Sequence, residues 1–193
     1  MKPGTRNSKL ILASASPHRA ELLRNAGISF TAQATHIPER RKRGESPKKF
    51  AERLAQEKAR AIRARHPGSI VLGADTIVVI RGLVLGKPRD RSDARRMLRL
   101  LSGRSHQVTT AVCLAGPSFE DTRSETTRVT MRKLSEKEIH DYVASGEPRD
   151  KAGAYAIQGI ASRFVSRIEG CYFNVVGLPV PLVDRMLRAH HRL

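Results

Sequence analysis

Leu10-Ile11-Leu12-Ala13-Ser14-Ala15-Ser16-Pro17-His18-Arg19 sets a short apolar run against a Ser/Ala/Pro turn and then a cationic segment. The apolar run predicts a buried strand. Ser16 has the side chain of a helix N-cap, and Pro17 suits the first helical position, where its missing N–H is not needed. Leu22, Leu23 and Ala26 follow at helical spacing, and Gly27 stops the run. Strand, tight turn and helix thus come in one stretch. A helix opening of this kind aims free backbone N–H groups and the positive end of the helix dipole at one spot. Ser14, His18 and Arg19 lie beside that spot, which makes it an anion site by construction. An ordinary capped helix with Arg19 in solvent fits the same segment.

Downstream, Ser46-Pro47 repeats the opening signal before Phe50, Ala51, Leu54, Ala55 and Ile62, whose spacing predicts an amphipathic helix to about Arg65. A charged loop, 39–45, precedes it. At 100° per residue Lys58 falls inside the apolar arc and Glu57 at its edge. Charged groups on a core-facing stripe are unusual. Either Lys58 snorkels past the core or it reaches a phosphate in a cleft. An inward lysine kept for function is a liability, so Lys58→Met is expected to leave stability unchanged or raise it.

After Pro67-Gly68, the apolar runs Ile70-Val71-Leu72 and Ile77-Val78-Val79-Ile80 flank Gly73-Ala74-Asp75-Thr76, which reads as a buried strand interrupted by a polar quartet. An uncompensated carboxylate there would be expensive to desolvate, so Asp75 needs a partner. A buried salt bridge, a turn, a metal ion and an activated water all satisfy that need. Arg81-Gly82 predicts a hairpin turn into Leu83-Val84-Leu85. Lys87, before Pro88, suits either a phosphate contact or a solvated turn.

A helix opened by Ser92 and closed by Gly103 follows, then an alternating strand through Val108, Thr110, Val112 and Leu114, and another strand at Val129 and Met131. Ser135 and Glu138 form a capping box for a helix ending at Gly146. The small-residue loop 151–159 carries Gln158, whose amide both donates and accepts and suits reading a base edge; a plain surface loop is the other reading. Phe164-Val165 predicts a short strand, and Val183, Met186 and Leu187 a last helix. Strands and helices mix without a clean βαβ repeat. The expected class is therefore α/β (α+β), one domain over residues 1–193 with a mixed twisted sheet flanked by helices, its polar first eight residues flexible. Neither G-x-G-x-x-G nor G-x-x-x-x-G-K-[ST] is present.

A hydrophobic content of 39% and a charged content of 28% place the chain among globular proteins and exclude a disordered or fibrous one. Cys113 and Cys171 lack metal-ligand spacing, which excludes a zinc site of the usual kind and points to a reducing compartment, the cytoplasm. No apolar run approaches the roughly 20 residues that span a bilayer, so neither a membrane partner nor a signal peptide is expected. The formal charge of +18 attracts polyanions, nucleic acid first among them. Yet aromatic residues are only 4%, and the cations are spread along the chain rather than interleaved with stacking rings. Charge alone does not name the ligand.

In this order, the segments resemble the Maf family of septum-formation-associated nucleotide pyrophosphatases, related in fold to the inosine triphosphate pyrophosphatases (Maf/Ham1). The resemblance runs from Leu10 to about Leu187. It rests on Leu12 to Arg19, Glu57-Lys58-Ala59, Gly73-Ala74-Asp75-Thr76, Gly86-Lys87-Pro88, Leu101-Ser102-Gly103, Asp150 to Tyr155, and Asn174 to Pro179. It implies a central nucleotide cleft and cleavage of a nucleoside triphosphate between its α and β phosphates, which limits misincorporation of nucleotides. Asp75 would be the proton acceptor. Ser14, Arg19, Lys58 and Lys87 would bind the phosphates, and Glu39 with Asp75 would hold a divalent cation, Mg²⁺ or Mn²⁺.

Family members are sorted by three positions near the base, and the branch acting on dTTP and UTP carries Arg, Thr and Gln there. Thr76 and Gln158 match that branch. His18 stands in place of the arginine, and also departs from the tryptophan of the sibling branch that acts on 7-methyl-GTP. Pro38, Ala156 and Cys171 are lesser departures. The expected reaction is hydrolysis of dTTP and UTP, and of modified pyrimidine nucleotides, with the same reaction on other nucleotides as the alternative. A basic nucleic-acid-binding protein without catalysis is the rival of a different class. The nucleotide is the expected partner, with non-specific nucleic-acid attraction and a homodimer both open.

Overall fold

In a computed structural model, which describes residues 9–190, the opening stretch folds as its residues dictate. Leu10–Ala13 forms a fully buried strand, β1. Pro17–Asn25 forms α1, capped by Ser16, whose Oγ accepts from the Arg19 backbone N–H. A two-residue strand, β2 (Thr31–Ala32), precedes the long helix α2 (Pro47–Arg63), which Ser46 caps. Then come β3 (Ile70–Ile80), β4 (Leu83–Leu85), α3 (Arg91–Leu101), β5 (Ser105–Ala115) and β6 (Glu120–Met131). The chain closes with α4 (Glu136–Ala144), β7 (Val165–Glu169), α5 (Tyr172–Val176) and α6 (Val180–Ala189). Residues 1–8, expected to be flexible, lie outside the described residues.

All the strands join one mixed sheet in the order β2-β1-β3-β5-β6-β7, with β4 attached to β3. β1 runs parallel to β2 and β3, and the remaining pairs are antiparallel. On one face the apolar stripe of α2 packs Phe50, Leu54 and Ile62 against Val71, Ile77, Ala111 and Cys113. Each such fully buried side chain contributes about 1.5–3 kcal/mol. On the other face α1 and α6 close over Leu12, Leu72 and Leu114. A third cluster gathers α3 and α4 over the far ends of β3, β5 and β6.

Arg81 and Gly82, at φ 49° and 77°, make the two-residue hairpin turn expected of them. The Ser135–Glu138 capping box also forms. Three expectations need correction. The polar quartet does not interrupt β3, because Gly73 to Thr76 remain paired with Cys113 to Thr110 of β5 and the ladder carries the backbone through. Asp90, not Ser92, opens α3: its Oδ1 accepts from the Asp93 N–H at 2.7 Å. The strand expected at Val129 and Met131 begins nine residues earlier at Glu120 in β6, where pairing with all of β5 overrides a polar, half-exposed sequence.

One detail of the topology prepares a site. β1 accompanies β3 only as far as the pair Ala13–Gly73, and β4 takes up the same edge only from Leu85–Val78. Between them residues 74–77 have no strand partner on that edge. The sheet forks, and the fork opens a cleft beside the first turn of α1.

Candidate active site

The cleft has a volume of about 430 Å³, and all nine residues singled out in the sequence line it. Asp75 points to the α2 face of the sheet, and Gly73, two residues earlier on the same face, lets the helix come close. A Cβ on Gly73 would run into the Ala55 carbonyl oxygen and lie 2.8 Å from Ala59 N. That approach seats Lys58 over Asp75. Lys58 Nζ donates to Asp75 Oδ1 at 2.6 Å and to Glu39 Oε1 at 2.7 Å. Lys58 and Asp75 are buried, and the Glu39 side chain is 45% exposed. Lys58 therefore does not snorkel to solvent; it is the partner that Asp75 required.

Burial pushes the Asp75 carboxyl above its usual range, partly opposed by the charges of Lys58 and Arg19. For Glu39 burial acts in the same direction but is outweighed by the Lys58 hydrogen bond and by the charges of Lys58, Lys87 and Arg19, leaving it below its usual value. The environment thus separates two neighbouring carboxylates, making Asp75 the better proton acceptor and Glu39 the more firmly ionised group.

Arg19 is not in solvent. Its Nε donates to Gly177 O at 2.8 Å, Nη1 to Ala74 O at 3.0 Å and to Ser14 Oγ at 3.2 Å, and Nη2 to Thr76 Oγ1 at 3.0 Å. The guanidinium fork thereby ties the first turn of α1 to the unpaired edge of β3 and to the turn between α5 and α6. Burial pulls it below the usual arginine range, against the pull of Asp75 and Glu39. Ser14 Oγ also accepts from Ser16 N at 3.1 Å. With both acceptor positions taken, its proton remains free to donate into the cleft.

Lys87 is exposed and reaches the cleft from the end of β4. Gly153 N bonds to Gly86 O at 3.0 Å, which fixes the loop carrying Gln158 against the segment carrying Lys87. Gly153 has φ 70°, and a Cβ there would sit 3.0 Å from Val78 Cγ2. Its neighbour Ala154 is also left-handed at φ 61°, a strained state held by full burial. His18, on the first turn of α1, and Gln158 also line the cleft.

The model of the Maf-like protein family matches residues 9–190. The chain belongs to the Maf family. A protein of Koribacter versatilis named dTTP/UTP pyrophosphatase is 58% identical over 179 residues, 93% of each chain. Another so named, from Symbiobacterium thermophilum, is 52% identical over 179 residues, 93% of this chain and 92% of that one. The Ham1 protein of Staphylococcus aureus overlays with a TM-score of 0.52 at 12% identity, covering 95% of this chain and 100% of that chain, and so shares the fold.

Several residues that build this Maf cleft were given no role from the sequence, although Asp150, Lys151, Tyr155 and Asn174 lie within the segments that carry the resemblance. Asn174 is fully buried; its Oδ1 accepts from Thr110 N at 3.0 Å and its Nδ2 donates to Val108 O and Thr127 Oγ1 at 2.9 Å each. Thr110 Oγ1 in turn meets Thr76 Oγ1 at 2.9 Å, so a polar chain runs from α5 through the sheet to Arg19. Tyr155 lines the cleft with its hydroxyl 2.8 Å from His106 Nε2, and burial pulls His106 down to about 4. That histidine is neutral at working pH and props the loop. Asp150 and Lys151, paired at 3.1 Å, add a further charged couple to the cleft wall.

Proposed function

We propose that this chain hydrolyses dTTP and UTP to the monophosphate and pyrophosphate. The observation that carries the reading is the buried Asp75, held with Glu39 on one lysine beside a helix N-terminus, in a cleft lined by all the residues expected to meet the phosphates and the base. The names of the relatives support the choice of nucleotide.

Asp75 accepts a proton from the attacking water. The water oxygen forms a bond to the α-phosphorus, the bridging bond to the β-phosphate breaks, and pyrophosphate leaves with the electron pair. Burial makes Asp75 more basic than a surface aspartate, and the charges of Lys58 and Arg19 partly oppose that rise. Lys58, Lys87, the Ser14 hydroxyl and the free N–H groups of α1 hold the phosphates in line. Arg19 contributes charge and holds the cleft walls in register. Thr76, with its hydroxyl already engaged, shapes the base pocket through Arg19 and Gly177, while His18 and Gln158 face the base.

Glu39 and Asp75 suit a hard divalent cation, Mg²⁺ or Mn²⁺, because the two carboxylates meet at one point in the cleft, where both now bond Lys58, and would face a cation there with hard oxygens. Among the described residues no group of three or more His, Cys, Asp or Glu could hold a metal by itself, so a cation held by Glu39 and Asp75 would need further oxygen ligands from water or the substrate. Held there, a cation would supply positive charge to offset that developing on pyrophosphate. No helix of the described residues is long and apolar enough to cross a membrane, and the reading places the enzyme in the cytoplasm with its nucleotide pool.

A panel of standard and modified triphosphates, with the products identified, tests this function. The expected result is pyrophosphate and monophosphate, fastest from dTTP and UTP. Release of inorganic phosphate, or no turnover on any member, would overturn it. The charge of +18 supports the rival reading, nucleic-acid binding without catalysis. Tight DNA binding that falls steeply with salt, in a protein that turns over no nucleotide, would establish that reading instead.

A further inference from the structure

Lys58 Nζ lies between the same two carboxylates that suit the divalent cation, 2.7 Å from Glu39 and 2.6 Å from Asp75. Its residue is 8% exposed, and the close approach at Gly73 fixes the helix that carries it. Magnesium bonds oxygen at about 2.0–2.1 Å, so a cation shared by these carboxylates needs the ground the ammonium already holds. Two positive charges do not occupy one gap. Lysine is the residue for such an arrangement, a point charge on a flexible stem, whereas a guanidinium fork would be fixed in place. Lys58 lines the cleft together with Phe50, Leu54 and Lys87, so its amino group can turn from the carboxylates to a phosphate without leaving the cleft.

We infer that Lys58 is a built-in placeholder: its ammonium and the divalent cation exclude one another between Glu39 and Asp75, and the nucleotide's phosphates, by drawing Lys58 away, admit the cation. This rests on the proposed pyrophosphatase reading. Cation and nucleotide then bind with positive coupling, and by linkage each strengthens the other equally. The empty enzyme keeps its carboxylates neutralised without metal, and the cation is in place only when there is a substrate to act on.

The test is Mn²⁺ binding to the full chain without nucleotide, read by titration calorimetry and by the rise in Tm with Mn²⁺ concentration. The wild type is expected to bind weakly, and Lys58→Met at least about tenfold more tightly, within the range usual for coupled sites. The Tm of Lys58→Met should accordingly rise more with Mn²⁺ than that of the wild type. Adding Glu39→Gln to Lys58→Met should remove the gain. A dTTP analogue with a methylene between the α and β phosphates should tighten Mn²⁺ binding to the wild type by about 5–150-fold. If Lys58→Met binds Mn²⁺ no better than the wild type while wild-type dTTP hydrolysis requires the cation, the placeholder role falls and the enzyme reading stands. If dTTP hydrolysis persists in full with the metal chelated, the cation itself was wrongly assigned and the inference falls with it.

Discussion

Replacing Lys58 with methionine removes the amino group 2.6 Å from Asp75 and 2.7 Å from Glu39 while keeping an apolar stem of similar length. From the helical pattern alone this change should leave stability unchanged or raise it. The structure reverses the sign, because the inward lysine is half of a buried pair. Only 7% of the Asp75 side chain is exposed, so the variant leaves a carboxylate in low dielectric with Arg19 as its nearby charge. Breaking a buried pair from one side costs about 3–5 kcal/mol. Glu39, 45% exposed, adds about 0–1 kcal/mol, since solvent screens its half of the pair. Taking about 3 kcal/mol, a chain of this length should lose about 6–12 °C in Tm at pH 8. The sign with pH follows from the shifts. Asp75 is already raised by burial and rises further without Lys58, so its penalty is complete above the folded value and vanishes below the unfolded value of about 4. Glu39 is lowered, so the stability it draws from Lys58 is present above its unfolded value and lost as pH falls. Both make the deficit of the variant shrink from pH 8 toward pH 4. Asp75→Asn placed on Lys58→Met removes the stranded charge and should restore most of the loss. Melts of the four proteins of this cycle at pH 5 and pH 8 decide the matter. A single variant as stable as the wild type at pH 8, or a double variant no better than the single, would refute the reasoning.

Asp75→Asn alone should still fold, though less stably because the buried Lys58 keeps only Glu39 as its charged partner, and should lose at least about 100-fold in kcat for dTTP, since the amide keeps the shape and removes the proton acceptor; pyrophosphate release measures it. Gly73→Ala should lower stability by about 1–3 kcal/mol, because the added methyl meets the Ala55 carbonyl and Ala59 N, and it should lower turnover as well by lifting Lys58 from Asp75; a melt and an assay on the same sample show whether the two losses come together. His18→Arg should widen the ratio of kcat/KM for UTP over a purine triphosphate, since a planar, permanently charged fork replaces a shorter ring at the base; an unchanged ratio would take His18 out of the specificity site.

Much of the fold was legible because the residues that decide it act locally. Ser16-Pro17, Ser46-Pro47, the Arg81-Gly82 turn and the Ser135–Glu138 box each fix an element end by chemistry confined to a few neighbours. The errors fall where long-range pairing overrides local preference. The quartet Gly73 to Thr76 looks like a break only while its partner strand is unknown; paired with Cys113 to Thr110, it is the middle of a strand buried along most of its length. Likewise Glu120 to Thr126, polar and half-exposed, has no alternation to announce a strand, and extends because β5 lies beside it. The short α5 and the turns around Gly153 carry no period at all.

The site divides along the same line, and Arg19 shows why. Asp75 and Lys58 stood out in sequence because each is a charge in an apolar setting, an inconsistency visible from neighbours in the chain alone. The structure resolves the two into a single pair. Arg19 raised no such conflict: on a helix after a proline turn, an arginine is at home in water. Its burial is imposed by groups 55, 57 and 158 residues away, the Ala74 carbonyl, the Thr76 hydroxyl and the Gly177 carbonyl. Asn174 is the same case, an unremarkable amide until Thr110, Val108 and Thr127 surround it. Charges that offend their local setting are therefore readable from sequence, while polar groups that assemble a cleft through distant backbone carbonyls are readable only once the strands are in register. The resemblance to the Maf family reached Arg19 by a different route, naming the position without its geometry. What the geometry adds is that the fork of Arg19 ties the first turn of α1 to the open edge of β3 and to Gly177, so the shape of the cleft depends on a residue whose charge alone would have been taken as its role.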